Sequence, residues 1–417
     1  MVNISLSRKQ KFVNIFAAAG IIVAFILKIY MSAATFHRPH IWSITPGYPV
    51  IFYFLDYSHG FIPRALIGEI FTGFFLERFS VESIFFFIFW LFFSVIILSV
   101  ITAVLMIFKE KNAEKRAWLW MILIWAYFNP STYLFIASDF GRLDLFIIIL
   151  TFFFGVLRYY SEKCVCLLPL FAAIITAIHD AAVFLYLPLL LFIAFLTYDF
   201  SDIRKLNKCL LITLLTIISS ITVVVAGKIN FDNDIYLEII RNNITHNNLS
   251  KYWEVVDTVK DYSAHSYIKH VTLLLSGKGF IPLQYIRMIL SLFFYAFSYI
   301  FIWKIWIKLY FSFGSPEKRM LPVITAILSL IPLLLCFVGC DYGRWFAAFT
   351  YSQYVIFFIM IPRCSRFKIS KIDIIFFFTG IIIFNASGPA SPVVANSLVE
   401  ALSLNLLKCI KLFVQMS

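Results

Sequence analysis

Charge is scarce in this chain. Of its 417 residues only 14% are Asp, Glu, Lys or Arg, against 62% hydrophobic and 19% aromatic. Soluble proteins carry roughly 25% charged residues. A 48.4 kDa chain this apolar cannot cover its own surface with polar groups in water. An ordinary cytosolic enzyme and a disordered chain are both excluded. Cysteine provides no framework either. The seven thiols are an odd number without framework spacing, and they read as small packing groups. No Walker A run, Gly-x-Ser-x-Gly elbow or His-Glu-x-x-His pair occurs. A hydrophilic domain, a Ser/Gly linker and a low-complexity tract are missing too.

What is present is a succession of long apolar runs. A span needs about 17–25 apolar residues to cross a bilayer. The sequence predicts spans near 12–34, 83–108, 117–137, 143–160, 165–178, 181–198, 208–227, 285–310, 320–338, 345–362 and 372–386. The expected fold is therefore an all-α polytopic membrane protein with about eleven transmembrane helices, and residues 1–417 form one integral membrane domain. The fifth and sixth runs are short on either side of His179–Asp180, as in a broken or re-entrant pair. The stretch 64–78 carries Glu69, Glu77 and Arg78 and reads as an interfacial helix, and 394–416 as an interfacial helix or a twelfth span.

Arg8, Lys9 and Lys11 precede the first run, which is too long for a signal peptide and reads as a retained span. With the N-terminus cytoplasmic, alternation places 20 of the 35 basic residues on the inner side. The net charge of +13 follows from that bias and implies no nucleic-acid partner. All seven histidines then fall outside. Two outer segments are long: the first loop, 36–82, and a larger loop, 228–284.

The sharpest motif occurs twice. Asp139-Phe140-Gly141-Arg142 and Asp341-Tyr342-Gly343-Arg344 each follow a predicted outward span. A looser version runs from Asp56 through His59 to Arg64, and a fourth outer turn holds His179 and Asp180. Short turns joining adjacent spans can bring these groups to one outer cavity. Arginine grips phosphate oxygens through a planar fork, and glycine before it permits close backbone approach. Aspartate beside arginine stays ionised and acts as a base or orients one. Charges this close to hydrocarbon mark function by default. The bland alternative is a set of satisfied ion pairs at helix ends. His37 and His40 flank Pro39 without a third ligand, so no metal site is assigned. Trp345, beside Arg344, is a candidate for stacking on a sugar ring.

The cytoplasmic N-terminus, the first outer loop with Asp56 and the interfacial stretch after it resemble the GT-C-type membrane glycosyltransferases. Size and span count also resemble O-antigen serotype-converting glucosyltransferases and O-antigen polymerases. The resemblance implies an active site on the periplasmic side of a bacterial inner membrane and two periplasmic loops. It implies a polyprenyl-phosphate sugar as donor, carried by an undecaprenyl-type lipid, and a polysaccharide acceptor. The partners would include a flippase and a cytoplasmic-face donor synthase. Asp56 matches the family's catalytic base, and Arg142 and Arg344 match its phosphate ligands. Asp139, His179, Asp180 and Asp341 would orient these groups; His59, Arg64 and Trp345 would line the substrate site. No cofactor is implied, and a divalent metal stays open. The alternatives are a polysaccharide polymerase and a transporter or flippase of lipid-linked oligosaccharide. The Arg-x10-Gly pattern of some polymerases is not evident in 228–284, which favours the transferase.

Overall fold

The computed structural model describes residues 19–24, 52–57, 61, 64–75, 81–129, 132, 142–196, 202–229, 238, 289, 296–313, 316–335, 342–364 and 367–386. Among these residues the secondary structure is all helical, without a strand. Most of the 228–284 loop and of the first predicted span, the stretch 394–416, and the site candidates His59, Asp139 and Asp341 lie outside the described residues.

The helices are α1 (Leu66–Phe75), α2 (Val81–Lys109), α3 (Ala113–Phe128), α4 (Asp144–Tyr160), α5 (Leu168–Ile178), α6 (Ala182–Leu185), α7 (Leu187–Phe195), α8 (Ile203–Ile229), α9 (Ala296–Ser312), α10 (Pro316–Ser329), α11 (Ile331–Leu334), α12 (Tyr342–Met360) and α13 (Lys371–Ala386). Among the described residues three apolar helical segments are long enough to cross a membrane: Phe86–Lys109, Ile203–Gly227 and Arg344–Arg363. The other expected spans within the described residues are shorter. α3 and α4 have 16 and 17 residues. At 1.5 Å per residue such helices reach about 25 Å, just under the hydrocarbon thickness of about 30 Å.

α2 explains why these helices need lipid. Its buried side is Ile84, Ile88, Phe92, Ile96, Val100 and Ile107. Its exposed side is no more polar: Phe86, Trp90, Ile97, Ile101 and Leu105. A helix apolar all round is either a core helix or a membrane span. In the spanning window of α2 only 39% of residues are buried, and in that of α8 only 17%. Apolar side chains facing outward at that density are at rest in hydrocarbon, not in water. α12 is the opposite case, with 83% of its window buried, and it forms the axis of the bundle.

The expected break near His179 is present. α5 stops at His179, α6 lasts four residues, and Tyr186 leaves helical geometry at φ −126° before Pro188 opens α7. Pro188 has no N–H for the preceding turn, which favours a new helix start after Tyr186. α1 meets the segment before it very closely. A Cβ on Gly68 would lie 1.9 Å from the Leu55 carbonyl oxygen, so only glycine admits this contact. Tyr57 N–H donates to Glu69 Oε2 at 2.8 Å and fixes the same junction.

α4 and α12 run in the same direction. Asp144 and Arg344 meet at their starts. Arg158 and Arg363, at their other ends, both reach the C-terminal end of α7, on the Ala194 carbonyl and on that of Leu196 just after it. The 20 residues from Arg344 to Arg363, nineteen steps along the helix, rise about 28 Å, close to a hydrocarbon thickness. The bundle therefore has two charged ends separated by roughly one apolar layer.

Candidate functional site

The site lies at the Arg344 end and is assembled from segments far apart in sequence. Arg344 opens α12, Asp144 opens α4, and His179 and Asp180 form the turn between α5 and α6. Arg64 stands just before α1. Arg344 Nε lies 2.9 Å from both Asp144 oxygens and donates to Oδ1. The Tyr186 hydroxyl donates to the same oxygen at 3.2 Å. Arg344 Nη1 is 2.9 Å from His179 Nε2. On the far side of the ring, Nδ1 is 3.0 Å from Asp180 Oδ1. That oxygen also accepts from Arg64, Nε at 3.3 Å and Nη2 at 3.1 Å. The result is one chain: Arg64, Asp180, His179, Arg344, Asp144, Tyr186.

The chain fixes the tautomer. A guanidinium only donates, so Nε2 opposite Arg344 carries the lone pair. The imidazole hydrogen then sits on Nδ1 and is donated to Asp180. The Ala181 N–H, 3.1 Å from Nδ1, is a close contact and not a hydrogen bond in this assignment. His179 is thus neutral. Burial, with the positive charges of Arg344 and Arg64, pushes its pKa down to about 3 against the pull of Asp180. Burial opposes the charge on Asp180, but Arg64 and the His179 hydrogen bond overcome it and hold the carboxyl well below its usual range.

Exposure divides the chain in two. Asp144 and Arg344 are sealed at 4% and 6% exposure. Arg64 and Asp180 side chains are open at 26% and 30%. Arg64 also takes a left-handed backbone, φ 66°, which costs a non-glycine residue roughly 1–2 kcal/mol. Strain held in place at a charged cluster is a mark of a functional position. Its guanidinium lies over the Phe52 ring, 5.5 Å from the centroid.

Asp56 is half-buried between Leu55, which packs on Gly68, and Tyr57, which holds Glu69. Three residues earlier, Tyr53 packs on Phe146 of α4 and feels the charge of Asp144; with burial, that keeps its phenol neutral. Arg142 is half-buried and its charge acts on Asp144. Trp345 is buried, at 6% exposure. Of the sequence-predicted groups the structure joins Arg64, His179, Asp180 and Arg344 directly, with Arg142 at Coulomb range. Asp144 and Tyr186 were not among the predicted residues. Asp144 did carry a signal, an acid inside the predicted span 143–160 two residues after Arg142. Tyr186 carried none.

No group of metal-ligating side chains is found among the described residues. No family model matches the chain, and no curated protein or solved structure matches it.

Proposed function

We propose that this chain is a membrane glycosyltransferase. It moves a sugar from an undecaprenyl-phosphate-type carrier onto a surface polysaccharide such as O antigen, at the periplasmic face of a bacterial inner membrane. The proposal takes the eleven-span topology with a cytoplasmic N-terminus, so that the Arg344 end faces outward. The observation that carries it is the convergence of Arg64 and Arg344 on the His179–Asp180 turn, with Arg142 in range of Asp144. Guanidinium groups gathered at the edge of an apolar layer suit a lipid phosphate, which arrives at that depth on its own tail.

The chemistry then divides as follows. Asp56 takes the proton from an acceptor hydroxyl as that oxygen attacks the anomeric carbon. The bond from that carbon to the phosphate oxygen breaks, and the carrier phosphate leaves with the electron pair. Arg64 and Arg142, the more open arginines, meet the phosphate first and offset its growing charge. His179 is neutral and holds Arg344 with one nitrogen and Asp180 with the other, so it positions these groups and takes no proton from the acceptor.

The test is sugar transfer by purified protein in liposomes, from a panel of synthetic polyprenyl-phosphate monosaccharides to an oligosaccharide acceptor. Asp56→Asn and Arg142→Ala are expected to abolish or nearly abolish turnover while the protein stays folded. Removing one such charge stabiliser typically lowers kcat by about 10²–10³. Absence of transfer across the whole donor panel would sink the proposal. Full activity in Asp56→Asn would remove Asp56 as the base.

A further inference from the structure

Arg344 is sealed while Arg64 is open, yet one imidazole ring joins them. We infer that His179 couples the two arginines: an anion captured by Arg64 draws it from Asp180, and His179 answers by taking up a proton and releasing Arg344 toward the bound anion. His179 is in this sense a positioning residue. The inference rests on the proposal that this end of the bundle receives a carrier phosphate.

The steps follow from the donors and acceptors present. Asp180 Oδ1 is shared, taking Arg64 at 3.1 Å and His179 Nδ1–H at 3.0 Å. When an anion takes Arg64, Asp180 loses the pull of that cation and more of its charge acts on the imidazole. The same event offsets the positive charge of Arg64, one of the forces that keep His179 neutral. Both changes favour a proton on Nε2. That proton comes from solvent and leaves the Nδ1–H bond to Asp180 in place. Nε2–H then faces Arg344 Nη1, now 2.9 Å away, donor against donor and cation against cation. Arg344 keeps Asp144 through Nε and swings its other nitrogens off the ring.

The surrounding charges allow this. Asp144, which Tyr186 also engages, remains as the anchor of Arg344. Arg142 acts on Asp144, and Glu69 on α1 is occupied by the Tyr57 N–H. Positive charge thus reaches the anion only after it has bound at the open end. A site wired this way resists opening to solvent while empty.

Proton uptake is the readout that a purely structural histidine would not give. The probe is a short-chain prenyl phosphoglucose, a phosphodiester whose single charge does not titrate between about pH 5 and 8. Its binding to the full-length protein in detergent is measured by calorimetry in two buffers of different ionisation heat. The expected result is net proton uptake that grows as pH falls from about 7 to 5, with affinity rising by up to about tenfold per pH unit. In His179→Gln the amide oxygen still accepts from Arg344 but does not titrate, so affinity is expected to be flat with pH. Binding without proton uptake in the wild type would overturn the coupling and leave the phosphate site standing, whether or not the variant folds. Equal uptake in His179→Gln would overturn it as well. No binding of the probe would overturn the coupling and the carrier-phosphate site together.

Discussion

The two ends of the bundle use their cations in opposite ways. At the Arg363 end cations cap helices. Lys115 donates to the Pro362 and Cys364 carbonyls after α12, Arg158 to Ala194, and Arg363 to Leu196 after α7. The last carbonyls of a helix lack partners within it and carry partial negative charge, so a cation there satisfies the backbone and the helix dipole together. At the Arg344 end the arginines meet carboxylates and an imidazole across distant segments. The first pattern closes a frame. The second stores charge where another anion can compete for it. Burial alone does not tell Arg158 from Arg344, since both are 6% exposed; for these two arginines the acceptor does, a backbone carbonyl in one case and a carboxylate with an imidazole in the other.

The largest effect is expected where that comparison is broken at the sealed pair. Arg344→Ala leaves Asp144 charged and buried, with the Tyr186 hydroxyl as donor and Arg142 only at Coulomb range; breaking a buried pair in this way typically destabilises by about 3–5 kcal/mol. Thermal unfolding in detergent measures it, and a loss below about 1 kcal/mol would show that Asp144 has another cation to turn to. Arg158→Met comes next. It removes one charged donor from the Ala194 carbonyl while keeping the stem volume, an expected loss of about 1.5–3 kcal/mol. Sugar transfer per folded molecule is expected to stay near the wild-type value in Arg158→Met. A selective loss of turnover there would erase the division between frame and site.

How much of this was legible beforehand depended on the type of contact. Helix positions were, because an apolar run ends where charge begins: the span predicted at 83–108 is α2, Val81–Lys109, and that at 372–386 is α13, Lys371–Ala386. The broken pair around His179 was legible from its short runs. Arg64, His179, Asp180 and Arg344 stood out as charges in turns. Their pairing did not. The repeated motif drew attention to the acids three residues before the arginines, Asp139 and Asp341, whereas Arg344 pairs with Asp144 across 200 residues. Pairing of that range is set by how α4 and α12 lie side by side, and spacing along one chain carries no trace of it.

Acidification gives a smaller, graded test of the open end. His179 is held neutral down to about pH 3, whereas an unfolded histidine protonates near 6.5. Between these values the unfolded state binds the extra proton, so stability is complete above about pH 6.5 and falls as pH drops. Asp180, held low, adds loss of the same sign only below its ordinary range near 4. The slope from His179 is at most about 1.4 kcal/mol per pH unit. It is expected to disappear in His179→Gln between pH 6.5 and 4.5, as read by unfolding midpoints. An unchanged slope in that variant would mean that the imidazole is already protonated in the folded protein.

The smallest effect is expected at Asp373, and its smallness sharpens the contrast. This carboxylate is fully buried at the Arg363 end and is held redundantly, by Lys304 and Lys308 at 2.9 Å each and by Ser370 through its N–H at 2.8 Å and its hydroxyl at 2.6 Å. Lys304→Met leaves three of these contacts, and the exposed flank of Lys304 means that water already screens part of its charge. A loss below about 1 kcal/mol is expected, with transfer activity unchanged. Asp144 is the counterexample, with one arginine and one tyrosine. A frame tolerates the loss of one partner because several elements share the load. A site that must respond to a ligand keeps its contacts few, so that one new anion can shift the balance. If Lys304→Met proves as damaging as Arg344→Ala, redundancy does not separate the two ends.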